Sequence, residues 1–258
     1  MIGVFDSGVG GMSVVAEIRA ISSVDIMYVS DSGRAPYGRR PLAEVRTFAT
    51  QITDHLLAMG ATMVVVACNA ASAAALHHLR SIRPAVPFVG MEPAVKPAAA
   101  LTTSGTIGVL TTAATFQGEL FASVIDRFGS DVDVLTQVCD GWVELVEAGV
   151  VDGPECVEAV GRHVEPLVAG GADTLVLGCT HYPFLAPVIR RIAGPGIRLI
   201  DPGPAVARQT VKVAESIGCA TGERTLRFHT SGTPHSVASS VASLTGLDIV
   251  PIAVTFGP

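Results

Sequence analysis

The sequence predicts an α/β protein with mainly parallel sheets, and three observations carry that prediction. Short β-branched runs alternate along the chain with longer helical patterns, the mark of repeated βαβ units. The runs are continuously apolar rather than alternating, as strands covered by helices on both faces must be. There is also a weak internal repeat, in which "IGVFDSG" at 2–8 is echoed by "IGVLTTA" at 107–113. The first Ile precedes a strand-end cysteine by 66 positions (68 − 2) and the second by 72 (179 − 107). Two similar half-chains facing each other would bring those two thiols to one cleft from opposite sides. Chance similarity between apolar strands is the competing explanation of the repeat.

Taken in order, the strand candidates are "IGVF", "DIMYVS", "MVVVAC", "PFVG", "IGVLTT", "DVDVLTQV", "TLVLGC", "IRLID" and "TLRFHT". Between them, segments such as "PLAEVRTFATQITDHLLAMG" and "GPECVEAVGRHVEPLVAGG" read as helices. "MEPAVKPAAALTTSG", rich in Pro and small residues, suits a crossing between halves, and "IDPGPAVARQ" suits the return. The expected organisation is a discontinuous first α/β domain, 1–95 plus 205–258, and a second, 96–204.

Composition narrows the function classes. The 258 residues are 49% hydrophobic and only 16% charged, which excludes a disordered chain, and no run of eighteen apolar residues offers a membrane span. The opening "MIGVFDSG" enters a strand pattern at once and lacks the basic and apolar segments of an export signal. A net charge of −6 without a dense Lys/Arg cluster gives no footprint for nucleic acid, and "RAPYGRR" is read as a local basic spot. Five cysteines without CxxC or Cys/His ligand spacing indicate neither a disulfide framework nor a zinc site, so a reducing cytoplasm is expected.

Of those cysteines, Cys139, Cys156 and Cys219 read as small buried hydrophobes. Cys68 in "MVVVACNAAS" and Cys179 in "TLVLGCTHYP" differ, because each ends an apolar strand and is followed by a polar residue, Asn69 or Thr180, where a helix is expected to start. Ligands of parallel α/β sheets bind at strand carboxyl ends, and a helix N-terminus there stabilises a thiolate and offers N–H donors to an anion. "FDSGVGG" at 5–11 has the same layout, with Asp6 and Ser7 in place of the thiol; it does not match GxGxxG, and a capped helix start is its plain alternative. "DSGRAPYG" at 31–38 brings Tyr37 and Gly38 to the end of another strand.

Together, "FDSGVGG", "PYG", "ACNAAS", "CDGWVELVEAG" and "LGCTHYP" occur in the order and spacing of the glutamate racemases, and the chain resembles that family over nearly its whole length. The resemblance implies two α/β domains related by pseudo-two-fold symmetry with the active site between them. It also implies interconversion of L- and D-glutamate for peptidoglycan without pyridoxal phosphate, metal or any other cofactor. Carried over by position, Cys68 and Cys179 match the paired acid/base residues, with Asp6 assisting the first, His181 the second, and Glu147 nearby. Ser7, Tyr37, Gly38, Asn69, Ala70 and Thr180 match substrate-holding positions, as do Asp6, His181, Thr112 and Thr115. Family members are often dimers, in several different arrangements, so a homodimer is expected.

Racemisation removes a proton from one face of Cα and delivers one to the other, so two groups on opposite sides, one ionised and one protonated, suit it. Two departures stand out: Ala70 where the family often has Thr or Ser, leaving only the backbone N–H, and Gly118 where Ser is common, which points to a looser loop. Other acidic substrates, another amino-acid or hydantoin racemase activity, and a binding role with little catalysis, such as inhibition of a DNA topoisomerase, stay open at this point. Aspartate racemases tend to carry an acidic residue after the second Cys-Thr, so His181 favours glutamate.

Overall fold

In the computed structural model, which describes residues 1–128 and 131–257, the apolar runs form two wholly parallel sheets. In chain order the strands are β1 (Ile2–Asp6), β2 (Ile26–Ser30), β3 (Met63–Val66), β4 (Phe88–Gly90), β5 (Thr106–Thr111), β6 (Asp133–Val138), β7 (Thr174–Leu177), β8 (Arg198–Ile200), β9 (Leu226–Thr230) and β10 (Ile252–Ala253). The larger sheet has the order β10-β9-β2-β1-β3-β4 and the smaller β6-β5-β7-β8. The repeat is therefore topological as well as sequential: β2-β1-β3-β4 and β6-β5-β7-β8 are the same arrangement met twice. Ile2 pairs with Met63 as Ile107 pairs with Thr174, and each thiol lies five residues beyond the second partner (68 − 63 and 179 − 174).

Continuous apolar strands are required because successive side chains point to opposite faces and both faces are covered. Ile2, Val4, Tyr28 and Val65 of the larger sheet enter one buried cluster, while Phe5, Val29, Val64 and Val66 of the same strands enter another. The smaller sheet divides likewise, Leu110 and Leu175 on one side, Val109 and Val176 on the other. Helix Val95–Leu101 buries Val95 and Ala98 against the smaller sheet, and helix Gly203–Ser216 returns Val206, Ala207 and Ala214 to the larger one.

Local chemistry shifts some expected boundaries. Both thiols lie two residues past their strands, which end at Val66 and Leu177. An α-helix begins directly after Cys68, at Asn69, but the chain after Cys179 makes a short 3-10 turn, Tyr182–Leu185, before helix Ala186–Ala193. Pro187 explains the difference: it lacks the N–H that a helix begun near Thr180 would use there, and it is accommodated in the first turn of a new one. In the basic spot "RAPYGRR" every arginine has a carboxylate, Arg34 with Asp31, Arg39 with Glu144 and Arg40 with Glu44.

Candidate active site

Cys68 caps helix Asn69–Ile82 from an extended conformation, so the first helical N–H groups, Ala71's among them, face the thiol. It is 4% exposed, and its Sγ donates to Ser7 Oγ at 3.7 Å. Burial, then the nearby Asp6 carboxyl, pushes the thiol well above the ordinary range despite those N–H groups. Asp6 is fully buried at the end of β1; it accepts from Gly11 N–H at 2.7 Å and from Thr180 Oγ1 at 3.4 Å. Burial raises its pKa, opposed by the His181 charge and by hydrogen bonds from Cys68, Ser7 and Gly11. This side of the site favours holding protons.

Cys179 has other company. Its Sγ lies 3.7 Å from His181 Nδ1, and His181 Nε2 lies 2.7 Å from Glu147 Oε1. The same Glu147 oxygen accepts from Val9 N–H at 2.8 Å. Burial alone would lower the pKa of His181, but the hydrogen bonds and charges of Cys179 and Glu147 overcome it and hold the imidazole well above its ordinary value. The arrangement favours a cationic ring between the Cys179 sulfur and a carboxylate. In a Glu147→Gln variant the Val9 bond can persist while the charge is gone, so burial is less strongly opposed. The His181 pKa is expected to fall, moving the imidazole resonance titration toward lower pH by NMR; an unmoved titration would show that Glu147 does not set the charge.

The turn between β1 and helix Met12–Ile21 makes this geometry possible. A Cβ on Gly8 would sit 1.8 Å from Glu147 Oε1, and one on Gly10 only 2.2 Å from His181 Nδ1. The glycines of "DSGVGG" thus admit side chains from the other half of the molecule. Ser13 Oγ reinforces the junction by donating to the Thr180 carbonyl at 3.0 Å.

Between the two sheets lies a narrow cavity. Both thiols reach it, together with Ser7, Asn69, Ala70, Thr180 and His181. Tyr37, Gly38 and Thr112 complete the predicted wall, and Pro36 and Val143 join it. Three predicted residues stand behind the lining: Asp6 behind Ser7 and Cys68, Glu147 behind His181, and Thr115, whose hydroxyl lies 2.9 Å from that of Thr112. Asn69 is 3% exposed, yet among the described residues neither atom of its amide has a hydrogen-bond partner, an arrangement that calls for a polar ligand. Gly118 is not in a loose loop: a Cβ there would meet that of Ala73 at 2.5 Å, so helix Asn69–Ile82 leaves no space for a larger residue. Pro36 and Val143 were concealed inside motifs already singled out; the Val9 N–H contact had no sequence signal, since its partner is 138 positions away.

Comparisons with known proteins agree with the geometry. A family model described as Asp/Glu/hydantoin racemase matches residues 12–210. A glutamate racemase of Ectopseudomonas mendocina is 53% identical over 209 residues, 81% of this chain and 80% of the relative. Among solved structures, a glutamate racemase isoform of Bacillus anthracis superimposes with a TM-score of 0.90 at 30% identity, covering 99% of this chain and 97% of the other. A glutamate racemase of Francisella tularensis solved in complex with D-glutamate gives 0.85 at 27% identity, over 98% and 96% of the two chains.

Proposed function

This chain belongs to the Asp/Glu/hydantoin racemase family, and on that premise we propose that it interconverts L- and D-glutamate by moving protons between two cysteine thiols and opposite faces of the substrate Cα. The observation that carries the reading is the placement of Cys68 and Cys179 at equivalent positions of equivalent sheets, both lining one cavity but with different proton partners. In the L-to-D direction Cys179, facing the His181 cation, takes the Cα proton as a thiolate, and Cys68 delivers its own to the opposite face. The reverse direction exchanges their roles.

The intermediate is a carbanion with enediolate character on the substrate carboxylate, so fixed N–H donors must meet that group. The start of helix Asn69–Ile82 supplies such donors, and the unpartnered Asn69 amide is positioned to hold a polar group of the substrate. Ser7, Thr180 and Thr112 add hydroxyls in the lining, and Ala70 adds only a backbone N–H. The narrow cavity keeps water from the carbanion once the halves have closed on the substrate. The domain limits 1–95 plus 205–258 and 96–204 belong to the same reading, supported by the return of helix Gly203–Ser216 to the larger sheet. So do a homodimer, a mechanism needing no cofactor and a supply of D-glutamate for peptidoglycan, implied by the family resemblance, and a cytoplasmic location, expected from the cysteine usage.

The test is proton NMR in deuterated water with L-glutamate, D-glutamate and then aspartate. Loss of the Cα proton with inversion of glutamate, and much slower reaction of aspartate, is expected; folded protein that exchanges neither would overturn the proposal.

A further inference from the structure

The loop between β2 and helix Leu42–Ala58 brings Tyr37 and Gly38 to the cavity, with Gly38 lying against Thr112 of the other half. Its anchorage comes from elsewhere. The Tyr37 hydroxyl donates to the buried Asp31 carboxylate, and Arg34 Nε donates to both Asp31 oxygens at 3.0 and 2.8 Å. Ser231 Oγ, from the turn after β9, donates to Asp31 at 2.5 Å. Arg34 is itself held from outside the loop: Nη1 donates to Gln51 Oε1 at 2.6 Å, and the guanidinium lies 4.0 Å from the Phe48 ring centre and 4.9 Å from that of Phe256. Phe256 belongs to the segment after β10, which is tied down by Gln51 Nε2 donating to the Gly257 carbonyl at 2.8 Å and by Phe256 meeting the His55 ring edge-on at 5.7 Å.

We propose that segment 254–257 is a clasp holding loop 31–40 in its substrate-binding form, with Phe256 and Arg34 as positioning residues that act through Asp31 on Tyr37. The contacts form an unbroken series from Phe256 to the cavity wall, and none of them is supplied by the thiols or their proton partners. Without the Phe256 ring, Arg34 loses one of its two aromatic faces and the loop samples open forms more often. Binding to a loop that is only partly closed weakens substrate and transition state alike, which raises KM and leaves kcat nearly unchanged.

The test uses Phe256→Ala and Phe256→Tyr in the full chain. Hydrogen exchange followed by mass spectrometry is expected to show faster exchange confined to 31–40 and to 254–257 in Phe256→Ala. KM for glutamate should rise about three- to thirtyfold with kcat within about twofold. Phe256→Tyr, which keeps a ring over Arg34, is expected to restore both. Unchanged exchange in 31–40 would overturn the clasp, as would faster exchange spread over the whole chain, or faster loop exchange with KM unmoved. The kinetic half rests on glutamate being the substrate. A wild type that turned over no glutamate would overturn that functional reading alone, and the exchange comparison would still decide the clasp.

Discussion

Cys68→Ser and Cys179→Ser are each expected to lower kcat/KM for glutamate by about 10²- to 10⁴-fold, the contribution of a positioned general acid or base. Because the enantiomers have equal free energies in solution, the loss must be the same in both directions for either variant. What separates the variants is the step that becomes slow. In Cys179→Ser the slow transfer is the one on the L face, so L-glutamate deuterated at Cα is expected to show a full primary isotope effect on kcat/KM, and deuterated D-glutamate almost none. Cys68→Ser should reverse the pattern. The same pattern in both variants, or racemisation at the wild-type rate in either, would sink the two-thiol mechanism.

A single methyl group on a residue outside the cavity lining should come close to that effect. Gly10→Ala places a Cβ where the His181 ring now lies, 2.2 Å from Nδ1. Either the imidazole leaves its place between Cys179 and Glu147 or the turn after β1 moves away, and misplacement by about 1 Å costs on the order of 10²-fold in rate. Adding His181→Asn to Gly10→Ala is expected to cause little further loss, since both changes remove the same interaction. Gly196→Ala, where a Cβ meets nothing within 4 Å among the described residues, serves as the control. Additive losses in the double variant would show that Gly10→Ala acts through general instability instead.

What could be read from the sequence and what could not divides along physical lines. β1, β2, β3 and β7 were legible because strands buried on both faces must be continuously apolar, the more exposed β6, β8 and β9 because they keep short β-branched or aromatic runs between helical patterns, and the order of appearance disclosed the repeat. β10 was not, because Ile252 and Ala253 are two exposed residues whose strand character comes only from pairing with His229 and Thr230. The thiols were legible as strand-end residues followed by polar side chains, but the turn after Cys179 depended on Pro187 and did not copy the helix start after Cys68. Asp31 and Arg34 lie inside "DSGRAPYG", but a salt bridge within a loop gives no sign that Phe256 and Ser231 hold it from over 190 positions away.

The two thiols occupy matching places but keep unlike neighbours, a protonating environment of Asp6 and Ser7 at Cys68 and the His181 cation at Cys179. In a protein working by the proposed route, one turnover from L to D leaves the proton on Cys179 and the charge on Cys68. The ligand-free protein therefore exists in two forms that differ in the position of one proton, each competent for one enantiomer. Any difference in KM between the enantiomers must be matched by the same difference in kcat. At saturating substrate the rate in one direction is then capped by how fast a proton returns between the thiols while the cavity is free of substrate.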